Sequence, residues 1–303
     1  MKKNRNKLLL YHPSTPYMFL LPALIFFLAA SYIPIFSTMY LSFHKWNILD
    51  PSKPFVGLDN YISLFKDRTF MISVENTLKY VIGMIAVGVP FPLLLAIGAT
   101  SLIKPIKNFV FLSFFIPLVS SMVAVGLIWV WIYHPSFGLM NIILETLNLP
   151  TFNWLTDPKT ALLAIIIMSL WKSIGYNMII FLAGIQSIPE MYYEAAGIDG
   201  ASGLQKFRFI TLPLLMPTTL FVFITTMIGS FQVFTQVYVM TSRAGQVPGG
   251  PAYSTRTLVL HIYEIGFTYL RMGRASAIAM LFLIVILILT LLQLRLFRKQ
   301  FTY

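Results

Sequence analysis

Residues 194–217 read EAAGIDGASGLQKFRFITLPLLMP. This is a polar interruption of mixed charge, without tryptophan, set between two strongly apolar stretches. Two short helical pieces are expected around it, over 190–197 and 202–209, because Asp199-Gly200 between them is a strong turn dipeptide. Ala195, Ala196 and Gly200 are small, so another surface can approach the backbone closely there. Glu194 offers a carboxylate that can accept a charge-assisted hydrogen bond from an arginine. Pro213 suits an early position of the following helix, where a missing N–H costs little, and Pro189 closes the segment before it. A loop of this kind implies a surface to meet, and its flanks imply a membrane.

The composition supports the membrane. The chain is 57% hydrophobic and 11% charged, with a mean hydropathy of +0.78, whereas soluble domains carry roughly a quarter charged residues. Apolar runs of about twenty residues can cross a bilayer as helices. Runs without alternation exclude the strands of a barrel. The chain contains no cysteine, which removes disulfides, thiolate metal sites and cysteine nucleophiles. The net charge of +12 is read as topology signals and membrane anchors, because basic and aromatic residues do not interleave as a nucleic-acid groove requires.

The fold class expected is an all-α polytopic membrane protein with six transmembrane helices, over 17–40, 72–99, 109–133, 160–184, 213–240 and 275–296. The basic start, MKKNRNK at 1–7, resembles the charged end of a signal peptide. The apolar run after it is too long for a signal core and lacks a cleavage site, so it is read as the first span. Pro34, Pro90, Pro92 and Pro117 fall in or near spans and read as kinks, since neighbouring helices can serve the freed carbonyls. An even number of spans puts both termini on one side. The segments 1–16, 100–108, 185–212 and 297–303, with Arg295, carry eleven Lys and Arg; 41–71, 134–159 and 241–274 carry nine over about one and a half times the length. The denser positive charge places the first set in the cytoplasm. The organisation expected is a cytoplasmic N-terminal tail, 1–16, a membrane domain, 17–296, containing the cytoplasmic loop 185–212, and a C-terminal tail, 297–303. Trp46, Trp129, Trp131 and Trp154 lie near span ends and are read as an interfacial aromatic belt.

With these elements placed, the pattern Glu194-Ala195-Ala196, Asp199-Gly200, Ile210, Leu212-Pro213 ahead of the second-last span resembles the coupling loop of permease subunits of binding-protein-dependent ABC importers. Further segments extend the resemblance over nearly all of the chain after residue 15. They are Trp46-Asn47, FVGLDNY at 55–61, Asn76-Thr77, GLMN at 138–141, Asn153-Trp154-Leu155 with Asp157-Pro158, Gly249-Gly250-Pro251, Ser254-Thr255, Tyr263 and Phe267. Their order resembles the carbohydrate branch, the maltose and glycerol-3-phosphate type. The stretch 242–247 before the Gly-Gly-Pro is a departure from it. The resemblance implies a type I ABC importer permease fold and half of a translocation pore in a bacterial or archaeal cell membrane. It implies four kinds of partner: a second permease forming a heterodimer, a dimer of ABC ATPase subunits, an extracellular sugar-binding protein, and the sugar. The loop would dock in a cleft of the ATPase, whose closure on ATP rocks the helices. The segments 41–71 and 241–274 would receive the binding protein.

The chain carries no machinery for hydrolysing ATP itself. It has no G-x-x-x-x-G-K-[ST] loop and no Gly-Lys pair; ATP and magnesium are expected on the partner, and this chain should bind no cofactor or metal. His12, His44, His134 and His261 are scattered. Polar residues at membrane depth mark a possible path. The fourth span carries Trp171, Lys172, Ser173, Gly175, Tyr176 and Asn177, with Lys172 taken to lie near an end. The fifth carries Thr225, Thr226, Ser230, Gln232, Thr235 and Gln236, with Gln232 and Gln236 four apart and so expected on one helix face. Neutral amides and hydroxyls beside Phe231, Phe234 and Tyr238 suit an uncharged polyol, because sugar hydroxyls want donors and acceptors and sugar rings stack on aromatics. The same residues serve equally as glue between helices. The family takes substrate contacts from these two spans. Ile174-Gly175-Tyr176 resembles such a segment, and Asn177 departs from it. Glu75 and Lys79 are expected to pair.

Other classes fit less well. A secondary sugar transporter should show inverted repeats or an embedded acid relay, and would leave the loop unexplained. A membrane enzyme needs clustered His, Asp or Cys within spans. A permease for another solute, such as glycerol 3-phosphate, calls for a basic cluster in the path or a basic residue from the partner permease.

Overall fold

In hydrocarbon a backbone must find its hydrogen bonds within the protein, and this chain does so almost entirely with helices. A computed structural model describes residues 15–100, 104–243 and 247–297. Its elements in chain order begin with α1 (Thr15–Ser42), α2 (Asp59–Leu64), α3 (Arg68–Gly88), α4 (Pro90–Thr100) and α5 (Lys104–Val119). There follow α6 (Met122–Ile132), α7 (Leu139–Thr146), α8 (Ala161–Gln186), α9 (Met191–Ile198) and α10 (Gly203–Lys206). The last are α11 (Leu212–Leu214), α12 (Met216–Phe231), α13 (Thr235–Arg243), α14 (Leu258–Tyr263) and α15 (Met272–Phe297). Among the described residues the only β-pairing is an isolated bridge between His44 and Phe55. The greater part of both expected tails lies outside the described residues. The departure at 242–247 and the turn within 100–108 are only partly described.

Four stretches are long and apolar enough to cross a membrane: Thr15–Ser42, Arg68–Thr100, Ala161–Gln186 and Met272–Arg295. Counting two bent pairs as one span each gives six. The expected third span, 109–133, is therefore not a straight helix, because Leu112–Val119 and Met122–Ile132 meet at 113°. Pro117 lies two residues before the end of the first of them. The expected fifth span, 213–240, is broken as well. It enters through a 65° bend between Gly203–Leu214 and Met216–Phe231. It then stops after Phe231 and restarts as α13 at Thr235. Gln232 sits in that gap, so Gln232 and Gln236 do not share a helix face, contrary to their spacing in sequence.

Three breaks, a proline kink between α3 and α4, the α5–α6 bend and the α12–α13 gap, have a side chain that serves a carbonyl. Pro92 has no N–H to give the carbonyl of Gly88 four residues earlier, and Asn177 Nδ2 donates to that carbonyl instead at 2.7 Å. At the α5–α6 bend, Lys172 Nζ donates to the carbonyls of Pro117 at 2.7 Å and Ser120 at 2.6 Å, with Leu118 at 3.5 Å. In the α12–α13 gap, Thr257 Oγ1 donates to the carbonyl of Val233 at 3.1 Å. Irregular backbone at membrane depth persists where protein satisfies it.

Helix α8 is the hub, packing against α3, α4, α5, α12 and α13. One cluster gathers Tyr80, Trp129, Tyr133, Trp154, Ile165 and Met168. A second gathers Val89, Leu93, Met178, Phe181, Leu215 and Val222 toward the loop that follows α8. Trp129 and Trp154 are buried, so they belong to this core and not to an interfacial belt. Trp154 Nε1 donates to Asn141 Oδ1 at 2.8 Å, and its ring stacks on Tyr133. Trp131 is exposed, as a belt residue should be. Glu75 and Lys79 pair at 2.7 Å on an exposed face. Helix α1 packs chiefly on α15, and none of its apolar window is buried within the chain.

The segment between α13 and α15 is locked from inside. Arg256 and Glu264, both buried, pair at 2.8 Å. Asn76 Nδ2 donates to the carbonyls of Tyr253 and Arg256. Asp67 caps α3 and also pairs with Arg274 at 2.5 Å. Burial raises the Glu264 carboxyl above its ordinary pKa, against the pull of Arg256. Arg256→Met removes that pull. The cost expected is about 3–5 kcal/mol of stability, read as thermal unfolding in detergent. A carboxyl whose folded-state pKa is raised holds its proton longer folded than unfolded, so the loss should grow as pH rises above the unfolded value. Equal loss at acid and neutral pH would overturn this account.

Candidate functional site: a polar cavity and an exposed loop

The spans that carry these three breaks line one cavity of about 310 Å3 together with α8. Helix α3 contributes Tyr80 and Met84, the α5–α6 bend contributes Leu118 and Met122, and α8 contributes Ser169, Lys172, Ser173, Tyr176 and Asn177. Helix α12 adds Thr225, Thr226, Gly229 and Ser230, and α13 adds Gln236. No acid lines it, and Lys172 is its one charged residue among those described. The wall is otherwise made of neutral hydroxyls and amides on an apolar frame.

The polar groups are held by one another. Gln236 Nε2 donates to the buried Tyr80 hydroxyl at 3.0 Å. Asn177 Nδ2, besides its bond to Gly88, reaches Thr226 Oγ1 at 3.2 Å. Ser230 Oγ donates to the carbonyl of Thr226 at 2.6 Å. These side chains therefore bond across or along helices and border open space at once.

Of the eight path residues expected from the sequence, four line the cavity: Tyr176, Asn177, Ser230 and Gln236. The other four are elsewhere. Ile174 and Gly175 are buried, and Gly175 faces the backbone of Phe114, where a Cβ would collide with the carbonyl oxygen. Gln232 is exposed in the α12–α13 gap. Phe234 packs in an aromatic group with Tyr238 and Tyr263, ring centroids 5.5 and 5.2 Å away. Tyr80, Met84, Leu118 and Met122 were not anticipated, because they come from the second and third spans. Lys172 lies in the middle of α8, not near its end. A lysine inside an apolar run, with Pro117 in the preceding one, was the available signal.

The second site is the loop. Helix α9 ends at Ile198 and the chain reverses through Asp199-Gly200. The turn is closed by Gly200 N–H to Gly197 O at 3.1 Å and Ala201 N–H to Ala196 O at 2.8 Å. Gly200 has φ +71°, where a side chain would be strained. Helix α10 starts with a capping box of Ser202 and Gln205. A π-helical turn at Phe207–Thr211 leads into α11, which carries Leu212 and Pro213. The Tyr193 and Thr211 hydroxyls meet at 2.9 Å and tie the two halves. Glu194, Ala195, Asp199, Gly200 and Pro213 are exposed, and Ala196, Ile210 and Leu212 half-buried. Glu194 and Asp199 make no ion pair among the described residues. The loop also presents apolar side chains not anticipated from the motif: Ile198 is 88% exposed, Leu204 75% and Phe209 71%. Three large apolar side chains are thus held out from one small loop.

The family model described as "Binding-protein-dependent transport system inner membrane component" matches residues 88–301. A probable ABC transporter permease protein of Bacillus subtilis (strain 168), YurN, is 38% identical over 97% of this chain and 98% of its own length. The arabinooligosaccharides transport system permease protein AraP of the same organism is 36% identical over 93% of this chain and 88% of its own. A chain in the crystal structure of a bacterial alginate ABC transporter, in complex with alginate pentasaccharide-bound periplasmic protein, superposes with a TM-score of 0.82. It is 26% identical and the match covers 94% of each chain.

Proposed function

We propose a transport function from one premise: the chain belongs to the family of binding-protein-dependent transport system inner membrane components. It has the all-α fold of a type I ABC importer permease, and ATPase activity in this family resides in a separate subunit. Our reading is that this chain forms half of the pore of an ATP-driven sugar uptake system. The observation that carries it is the cavity, lined by neutral amides and hydroxyls where three broken spans meet. Such a wall offers donors and acceptors to a polyol without demanding a charge.

The other half of the pore is a second permease subunit, and a sugar-binding protein on the extracellular side delivers the solute. The partner ATPase binds ATP and magnesium and takes the 194–213 loop in its cleft, with Glu194 meeting a basic group there. In this arrangement the loop and both termini face the cytoplasm, as the positive-inside charge bias favours. Among the described residues no cluster of His, Cys, Asp and Glu is placed to hold a metal.

The test is ATP hydrolysis in proteoliposomes containing this chain, the second permease, the ATPase and the binding protein, over a panel of sugars. One sugar should stimulate hydrolysis. Glu194→Lys should abolish that stimulation and leave the chain's own thermal stability unchanged. Uptake that persists without any ATPase would return the secondary transporter. A second reading, an anionic solute such as glycerol 3-phosphate, is favoured by the ammonium of Lys172 on the cavity wall. It ranks lower because carbonyls already take that group's hydrogen bonds. Glycerol 3-phosphate belongs in the same panel.

A further inference from the structure

The α5–α6 bend is the sharper of the two bent helix pairs among the described residues. A turn of 113° inside a span takes the carbonyls of Pro117 and Leu118 away from the amides four residues on, and hydrocarbon offers no substitute. Lys172 reaches them from the middle of α8. An ammonium has three protons, and three carbonyls lie around this one, those of Pro117, Leu118 and Ser120. A cation at the C-terminal end of α5 also meets the negative end of that helix. Leu118 and Met122, on either side of the bend, line the cavity. The wall they form is held by a side chain of α8 that lines the same cavity.

We propose that Lys172 is the positioning residue of the cavity: its ammonium holds the bend of the third span as one wall of the translocation path and does not itself bind the solute. This rests on the transport reading above. Its protons are committed to backbone, so its loss displaces the wall for every solute alike. A solute ligand would instead favour acidic sugars over neutral ones.

The absence of cysteine from the chain permits a chemical test. In the complete complex, Lys172→Cys is made and then treated with 2-bromoethylamine, which alkylates the thiol and restores an ammonium at nearly the length of lysine. The unsubstituted complex treated in the same way controls for partner cysteines. Lys172→Cys should lower maximal uptake roughly tenfold or more, the change that losing one well-made bond brings. It should do so equally for a neutral sugar and a uronate, and alkylation should restore most of the rate. A Lys172→Cys chain that fails to assemble, while Lys172→Arg assembles and transports, supports the same role, because the loss then precedes any solute. Uptake by Lys172→Cys at the unsubstituted rate overturns the proposal. So does a raised KM for the uronate alone with its maximal rate intact, which would make Lys172 a solute ligand. If the unsubstituted complex shows no sugar-stimulated hydrolysis, the transport reading fails instead, and the two failures are distinct.

Discussion

Gly175→Val is expected to remove the folded chain from the membrane. Helices α5 and α8 touch at this glycine, and a Cβ there would collide with the carbonyl oxygen of Phe114. Backbone cannot swing aside as a long side chain can. The penalty should exceed the roughly 1–3 kcal/mol of ordinary overpacking, out of a total stability of about 5–15 kcal/mol. Gly175→Ala should lower the thermal midpoint in detergent, and Gly175→Val should abolish recovery of the chain. Gly229→Ala is the contrast, because a Cβ there meets nothing within 4 Å and alanine favours helix. It should hold or raise the midpoint. A Gly175→Ala chain as stable as its parent would show that α5 does not pack here.

Ile198→Asp should disconnect the chain from its ATPase without unfolding it. Ile198 is 88% exposed and makes no part of any core cluster, so an aspartate costs the isolated chain almost nothing. On docking, the same side chain would be desolvated. Burying an isoleucine contributes about 1.5–3 kcal/mol, and a carboxylate in its place loses this and adds a desolvation penalty. Loss of affinity by about tenfold or more is expected. It should appear as failure of the ATPase to co-purify and as loss of sugar-stimulated hydrolysis, with the chain's own unfolding midpoint unchanged. Co-purification at the parental level would place the contact elsewhere on the loop.

Local chemistry carried much of this architecture into view. Asp199-Gly200 marks a turn that the structure closes with φ +71° at Gly200. The two flanking pieces fall within a few residues of α9 and α10. The fourth span and the sixth are each one continuous helix and nearly coincide with α8 and α15, because neither contains a proline. The broken spans were the part hidden from view. Hydropathy sums side-chain polarity along the chain and takes no account of where the backbone turns. A bend of 113° leaves the sum over 109–133 unchanged. Such a bend becomes affordable only through Lys172, more than fifty residues away, and no local pattern encodes that partnership. Of the four expected path residues outside the cavity, Gln232 and Phe234 fall in the α12–α13 gap, across which the 3.6-residue period does not run, and Ile174 and Gly175 sit on the buried side of the unbroken α8. The Trp129 and Trp154 assignments failed because nearness to a span end does not say whether a ring faces lipid or protein.

The separation between each break and its cap has a consequence for synthesis. Gly88 and Asn177 are 89 residues apart in the chain, Pro117 and Lys172 55, and Val233 and Thr257 24. In every case the carbonyl is made first and its donor later. While the nascent chain is shorter than 172 residues, the second and third spans have left the ribosome with bare carbonyls at their kinks, and water in the insertion channel or lipid headgroups must serve them. The fourth span carries both Lys172 and Asn177, so the donors for two earlier breaks enter the bundle together on one helix, and only after the carbonyls they serve have been made.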